Sequence, residues 1–448
     1  MKGLTSIFET DSKHIKILLV LFLIVYHVTL FFSLSHQPAL LRDSEEYINS
    51  SKSFEINKNF YSGSQSGEVD YRLYSKRTPF YPVVLFGFRS LNIHFNFIYL
   101  LQLFLGLFNI YLALILLRQL IAKPSLAFIF LTIFILLTPS QFIYSQFIMA
   151  DLWLQSFIMI CIVSFAIFIK TRNSNWLIWL IVFSTLAALT KPIFLFASFG
   201  IATFCLFVFV KQKHRKLLTI FIILPFFSWF VISAQNKKLT GVFHYSSIGY
   251  INLLHYNTNL YLNQAIGQAK TEKLLEPLMI IPHTKQEFKE NYKRVNGVCK
   301  SALLSHLGGY LLYHCKGVVY FFLDPGRFDL YNFFRIEEGN SSGFLHKGAD
   351  KNRLESMFND HPLVTISLFL IFIINVLKTF GFIIFLWLQR KNQLVWAGAM
   401  FVFYIAFLTG PLGASRFALP VELIIICFAS LFYAQLLKRV KNTTIQNR

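Results

Sequence analysis

Acidic side chains are what this sequence has least of. Asp and Glu number 21 in 448 residues, against 42 Lys and Arg, which leaves a net charge of +21. Cysteine is scarce too, with five residues, so a disulfide-built scaffold is excluded. No Cys/His cluster has the spacing of a metal site, and the chain has no glycine-rich phosphate loop, fixed-period repeat or low-complexity run. A strongly basic chain often binds nucleic acid. Here the basic residues are spread over separate short segments and form no single patch, so no nucleic-acid partner is expected.

What is present is apolar. The chain is 55% hydrophobic, with a mean hydropathy of +0.55, which does not describe a soluble protein. Apolar runs of roughly 18 residues or more read as membrane-spanning helices, because about 20 residues at helical rise cross the hydrocarbon core. Such runs occupy 15–35, 95–117, 125–143, 147–169, 176–190, 192–210, 217–234, 362–388, 394–411 and 415–436. The expected fold is therefore an all-α polytopic membrane protein of about ten transmembrane helices, in a range of about nine to thirteen. The first run is longer than a signal-peptide core and no small-residue cleavage site follows it, so it reads as a retained anchor.

Charge placement suggests the sidedness. Arg118 and Lys123, Lys170 and Arg172, the basic stretches 211–216, 389–392 and 438–442, and Lys2, Lys13 and Lys16 punctuate alternate connections. Short basic loops favour the cytoplasmic side, which puts both termini inside. Three regions follow: an N-terminal membrane module over 1–234 with a first outer loop at about 36–94, an outer region over 235–361, and C-terminal spans over 362–448. In the first loop, 77–92 is too short and proline-marked to span and suits an interfacial helix. In the second, 301–323 is interrupted by His306, His314 and Lys316 and reads as one amphipathic helix lying on the bilayer, followed by an aromatic-rich loop at 321–334. Cys299 and Cys315 fall in this region, and a disulfide or two free thiols both fit.

Against so few acids, Asp43, Glu45 and Glu46 stand within four residues, directly after the first span. Asp151 opens the fourth. Lys76 and Arg77 lie in the first outer loop, Lys191 and Arg416 at outer ends of later spans. Ionisable groups at membrane depth are costly and tend to face interior cavities. Carboxylates able to act as a base, on the same face as cations able to hold phosphate, point to chemistry on a lipid phosphate. On a helix starting at Asp43, Glu46 and Tyr47 share its face.

The motifs are "RDSEEYINSSKSF" after the first span, "KRTPFYP" at 76–82, Asp151 opening a span, "ALTKP" at 188–192, "AQNKKLTGVFHYSSIGYINLLHYN" at 234–257 and "SRFALP" at 415–420. Their order resembles that in the polytopic GT-C glycosyltransferases, in particular the group containing protein O-mannosyltransferases and the lipid A aminoarabinose transferase. The pattern departs at Thr78, where a proline is usual, and at Gln235, where an arginine is usual. The resemblance implies a sugar donor on a polyprenyl phosphate such as undecaprenyl phosphate. It also implies transfer with inversion to a glycan, lipid or protein acceptor on the outer face, and the compact loops and Phe-, Ile-, Lys- and Asn-rich composition point to a bacterial inner membrane. Asp43 would activate the acceptor and Glu46 would orient the site. Asp151 would bind the acceptor or hold a cation, and Arg77, Lys76, Arg416 and Lys191 would hold the phosphate. His244, Tyr245 and His255 are candidate contacts to donor or acceptor. Relatives with and without a metal leave a divalent ion, Mg or Mn, open. Two other classes fit the composition: an O-antigen-type polymerase or ligase with a diphosphate-linked donor, and a non-enzymatic flippase. The flippase would require two related halves with broken helices.

Overall fold

The computed structural model describes residues 12–36, 40–121, 125–211, 220–336 and 357–446. Lys2, Lys123 and nearly all of the basic stretch 211–216 lie outside the described residues. Among the described residues every regular element is helical. In chain order these are α1 (Ser12–Ser35), α2 (Arg42–Asn57), α3 (Phe80–Ser90), α4 (Asn96–Leu120), α5 (Ser125–Leu136), α6 (Ser140–Ile143) and α7 (Asp151–Thr171). After them come α8 (Asn175–Thr190), α9 (Leu195–Lys211), α10 (Ile223–Thr240), α11 (Ile248–Asn252), a π-helical segment (Leu253–Asn259), α12 (Leu260–Ala265) and α13 (Gln268–Met279). The last are α14 (Lys285–Ser305), α15 (Leu307–Leu323), α16 (Arg327–Phe333), α17 (Pro362–Leu388), α18 (Gln393–Thr409) and α19 (Ser415–Gln446).

Each of the ten apolar runs read from the sequence contains helix among the described residues, and residues 217–219 lie outside them. Seven are long and apolar enough to cross a membrane: α1, α4, α7, α9, α10, α17 and α19. An eighth is a pair bent by 69°, α5 followed by the short helical stretch Ser140–Gln146. The bend falls at Thr138-Pro139, where the proline cannot continue the amide ladder and disfavours helix in the residue before it. The remaining two, α8 and α18, are shorter apolar helices. The chain is thus an integral membrane protein of the polytopic all-α class.

The C-terminal helix is the centre of the bundle. Every residue of α19 from Ala418 to Phe432 is buried, and α4, α5, α7, α17 and α18 pack around it. By contrast, α1 turns Ile17, Val20, Ile24, Val28 and Phe31 outward, as a helix facing lipid does. Lys378 of α17 is buried among these helices. It forms an ion pair with Glu422 of α19 and donates to Thr138 Oγ1 at 3.0 Å.

Three segments apart from the candidate spans position the site. Helix α2 packs on α3, the short helix expected within 77–92. The stretch 301–323 is two helices, not one: α14, capped reciprocally by Thr284 and Glu287, ends at Ser305, and α15 starts at Leu307. His306 between them is outside helical geometry, and its carbonyl accepts the Tyr261 hydroxyl at 3.2 Å. Helix α15 packs against α17, α18 and α19. A Cβ at Gly317 would sit 1.5 Å from the carbonyl oxygen of Gly410, so this approach requires glycine. The expected loop at 321–334 is instead the turn Asp324-Pro325-Gly326 followed by buried α16. Cys299 is buried, Cys315 is exposed, and both are free thiols.

Candidate active site

Of the acids after the first span, Asp43 and Glu45 lie in the first turn of α2 and Glu46 follows directly. Asp43 and Glu46, three residues apart, project from one face of it. Arg77, from the loop before α3, donates from Nη2 to Asp43 Oδ1 at 2.5 Å and from Nε to Glu46 Oε2 at 2.9 Å. Lys76 Nζ reaches Glu46 Oε1 at 2.6 Å. Arg416 of α19, 373 residues along the chain, donates to Asp43 Oδ2 at 2.5 Å. It also faces Asp151 at 3.7 Å. Lys191, in the turn after α8, bonds Asp151 Oδ1 at 2.6 Å. One continuous chain of charges thus runs Lys76, Glu46, Arg77, Asp43, Arg416, Asp151, Lys191. Asp151 is the first residue of α7, where the helix dipole favours an acid. Glu45 faces solvent.

Burial separates the three carboxylates. The Asp151 side chain is fully buried and that of Glu46 is 8% exposed, whereas that of Asp43 is 26% exposed. Asp43 is therefore the most accessible of the three. Burial pushes its carboxyl up, but the Arg416 and Arg77 guanidinium groups outweigh burial and hold it well below the usual carboxylate range. The Arg77 guanidinium also lies over the Tyr47 ring, 4.7 Å from its centre, which adds a cation–π contact. Tyr47 in turn packs edge-on against Tyr81, and Tyr81 donates to Gln102 at 2.8 Å.

The loop that carries Lys76 and Arg77 is tied on both sides. The Thr78 hydroxyl donates to the carbonyl of Thr190, next to Lys191, at 2.8 Å. A proline at 78 offers no such donor. On the other side, Ser75 Oγ bonds His244 Nε2 at 2.7 Å, Ser246 Oγ donates to the Lys76 carbonyl at 3.0 Å, and Ser247 Oγ to the Arg72 carbonyl at 2.6 Å. His244 Nδ1 pairs with the Val242 carbonyl at 2.9 Å, and burial pushes this imidazole down. His244 therefore stands one residue behind the cations, with both ring nitrogens engaged. Tyr245 donates to the Ala188 carbonyl at 3.0 Å. Gln235 and Tyr245 line a cavity of about 30 Å³ with Arg77. His255 sits on the π-helical segment, half-buried. Burial and the nearby Arg72, Lys76 and Arg42 cations push it down.

Seven of the side chains marked in the sequence thus meet in one charge cluster, while His244, Tyr245 and His255 stand outside it. The sequence did not mark the bonds that place the seven. Glu46 holds two cations at once, and Thr78 and Ser75 brace the loop through partners more than a hundred residues away. Glu422, inside an otherwise apolar span, is the overlooked group that carried a signal, because an acid there demands a partner. As for a divalent ion, each site carboxylate already faces lysine or arginine. Among the described residues no three or more His, Cys, Asp and Glu side chains gather as a metal site requires.

No protein-family model matches the chain, and no curated protein matches it. Among solved structures it is similar to two crystal structures of ArnT from Cupriavidus metallidurans, one bound to undecaprenyl phosphate and one in the apo state. Identity is 13% and 12%, each alignment covers 92% of this chain and 77% of that chain, and the TM-score is 0.38 for both.

Proposed function

We propose that this protein is an inverting glycosyltransferase that moves a sugar from a polyprenyl-phosphate carrier to an acceptor hydroxyl at the outer face of a bacterial inner membrane, with both termini cytoplasmic. The observation that carries the reading is Asp43: a partly exposed carboxylate gripped by two guanidinium groups from distant parts of the chain. In the reaction the acceptor oxygen forms a bond to C1 of the sugar while its proton passes to Asp43. The C1–O bond to phosphate breaks on the opposite face, and its electron pair leaves with the carrier phosphate.

Charge supports the monophosphate carrier. Four enclosed cations (Lys76, Arg77, Lys191, Arg416) face three carboxylates (Asp43, Glu46, Asp151), which leaves one positive charge; Arg42, 3.8 Å from Glu46, is 89% exposed, and solvent screens its charge. A sugar–phosphate–lipid diester brings one negative charge and makes the site neutral. Transfer turns it into a monoester with about two negative charges, and the proton now on Asp43 restores the balance. A diphosphate-linked donor would start one negative charge in excess. Fixed cations aimed at a charge that grows in the transition state are the kind of stabilisation that contributes most.

As the site stands, Asp43 is a weak base, because both guanidinium groups hold its proton affinity down. A carrier phosphate draws the same groups toward itself. Asp43 then regains basicity when the donor is in place, which limits proton abstraction to the loaded site. The arginine and lysine side chains supply the charge a metal would otherwise bring, so the reading uses no divalent ion.

The test is transfer by the purified chain in nanodiscs, with radiolabelled sugar on undecaprenyl phosphate and mass spectrometry of the released carrier. Sugar release with undecaprenyl monophosphate as co-product supports the proposal. Release only from a diphosphate donor, or movement of the intact lipid across the bilayer without sugar release, overturns it.

A further inference from the structure

Arg416 is the second residue of α19, and a separate set of buried groups fixes the residue before it. The Ser415 amide donates to Asp324 Oδ2 at 2.9 Å, and its hydroxyl donates to Asp329 Oδ2 at 2.7 Å. Asp329 Oδ1 accepts the Tyr144 hydroxyl at 2.6 Å. Asn375 of α17 donates to the Asp324 carbonyl at 2.9 Å. The turn before α16, the bent stretch Ser140–Gln146, α17 and α19 therefore meet at one point. Asp324 and Asp329 are 3% and 2% exposed. The fit is close: Gly326 has φ of +77°, and a Cβ there would lie 2.9 Å from Asp329 Oδ2 and 3.0 Å from Ser415 Oγ.

Two acids buried this deeply are costly unless their charge is used. Their place beside the first turn of α19 favours that helix end, but the same contacts also aim its second side chain. We propose that Asp329, supported by Asp324, is a positioning residue: by gripping Ser415 at both amide and hydroxyl, the pair sets how Arg416 presents its guanidinium to Asp43 and to the phosphate of a polyprenyl carrier. The inference rests on the lipid-phosphate reading above, and neither acid touches the carrier in it.

The chemistry of Asp329 gives the proposal its own signature. Burial pushes Asp329 up to about 7, against the hydrogen bonds from Tyr144 and Ser415, which lower it. Ionised, it accepts both hydroxyl protons. Protonated, it must itself donate, so one of the two contacts is lost or reversed. The charged and titratable groups around it are Tyr144, Asp324 and Arg416 from the packed elements, Lys378 and Glu422 across a shared cavity of about 20 Å³, and Arg327 and Tyr331 on its own helix.

The experiment uses the full chain in nanodiscs and undecaprenyl phosphate as the probe. Affinity is measured by thermophoresis from about pH 5.5 to about pH 9 for the wild type, Asp329→Asn, Asp329→Ala and Ser415→Ala. The phosphate's own second ionisation, near about pH 6, is common to all and cancels in the ratios. Asn presents a carbonyl acceptor on one side and an NH₂ donor group on the other, in the place of the carbonyl and O–H of protonated Asp. Asp329→Asn should therefore match the wild type at low pH and bind about threefold more weakly above about pH 8, the ratio changing near pH 7. Asp329→Ala should lose about tenfold at about pH 8, the scale of a displaced charge-assisted contact. Ser415→Ala should abolish the pH-dependent part. A ratio of Asp329→Asn to wild type that stays constant with pH overturns the positioning role while leaving the carrier reading intact. A wild-type chain that does not bind undecaprenyl phosphate at all defeats the carrier reading, and the positioning role with it.

Discussion

Replacing Asp43 by Asn should move carrier binding and sugar transfer in opposite directions. In the structure Asp43 occupies one guanidinium contact of Arg77 and one of Arg416, both at 2.5 Å. A phosphate must compete with that carboxylate for the same donors. Hydrogen bonds to charged groups are each worth roughly 1.5–3 kcal/mol net. Relaxing even one of the two therefore gains about 1.4 kcal/mol or more, a tenfold or greater rise in affinity for undecaprenyl phosphate. Transfer goes the other way, because Asn cannot take the acceptor's proton, and loss of a general base costs about 10²–10⁴-fold in rate. The fold should survive, since Arg77 keeps Glu46 and Arg416 keeps Asp151. The measurements are thermophoresis with undecaprenyl phosphate, transfer from a radiolabelled donor at saturating acceptor, and a melting curve as control. Weaker carrier binding in a folded Asp43→Asn protein, or transfer at the wild-type rate, would refute the competition between carboxylate and phosphate.

Further outcomes follow from other contacts. Arg77→Lys keeps the charge but cannot bridge Asp43 and Glu46 or stack on Tyr47, so transfer should fall by about ten- to a hundredfold with normal expression; wild-type kinetics would count against a bridging role. Lys378→Met leaves Glu422 buried without its cation and should cost about 3–5 kcal/mol of stability, whereas Lys378→Met with Glu422→Gln should recover most of it; equal melting temperatures in single and double variants would contradict this. Thr78→Val removes the bond to the Thr190 carbonyl and should cost about 1 kcal/mol in a thermal melt, with a rise in KM for the donor; an unchanged KM would detach the brace from the site. EDTA should leave transfer unchanged, and loss of activity restored by Mg or Mn would overturn the metal-free reading.

The spans were legible because hydropathy over some 20 residues is a local property: each of the ten runs contains helix among the described residues, including the short α8 and α18. Asp43, Asp151, Lys191 and Arg416 stood out for a related reason, since a charge at the edge of an apolar run has few inexpensive places to go. Their pairings were not legible, because Asp43 and Arg416 meet only after the whole bundle has formed. Thr78 read as a departure from a motif, yet its hydroxyl forms a bond proline lacks. The stretch 301–323 read as one helix because its apolar character continues through His306, and nothing local announces that Tyr261 takes the His306 carbonyl. Asp329 lay in what looked like an aromatic loop, and its carboxylate gains its partners only where the fold brings up Tyr144 and the start of α19 at Ser415.

The most enclosed of the described helices is also the last of them in chain order. Until α19 arrives, α4, α5, α7, α17 and α18 have no common partner for their inner faces, and Lys378 has no counter-ion within the bilayer. The bundle therefore closes only when the slot lined by these helices is filled by α19. The keystone that closes the slot carries Arg416 in its first turn, so a chain cut short before α19 lacks the guanidinium that joins Asp43 to Asp151.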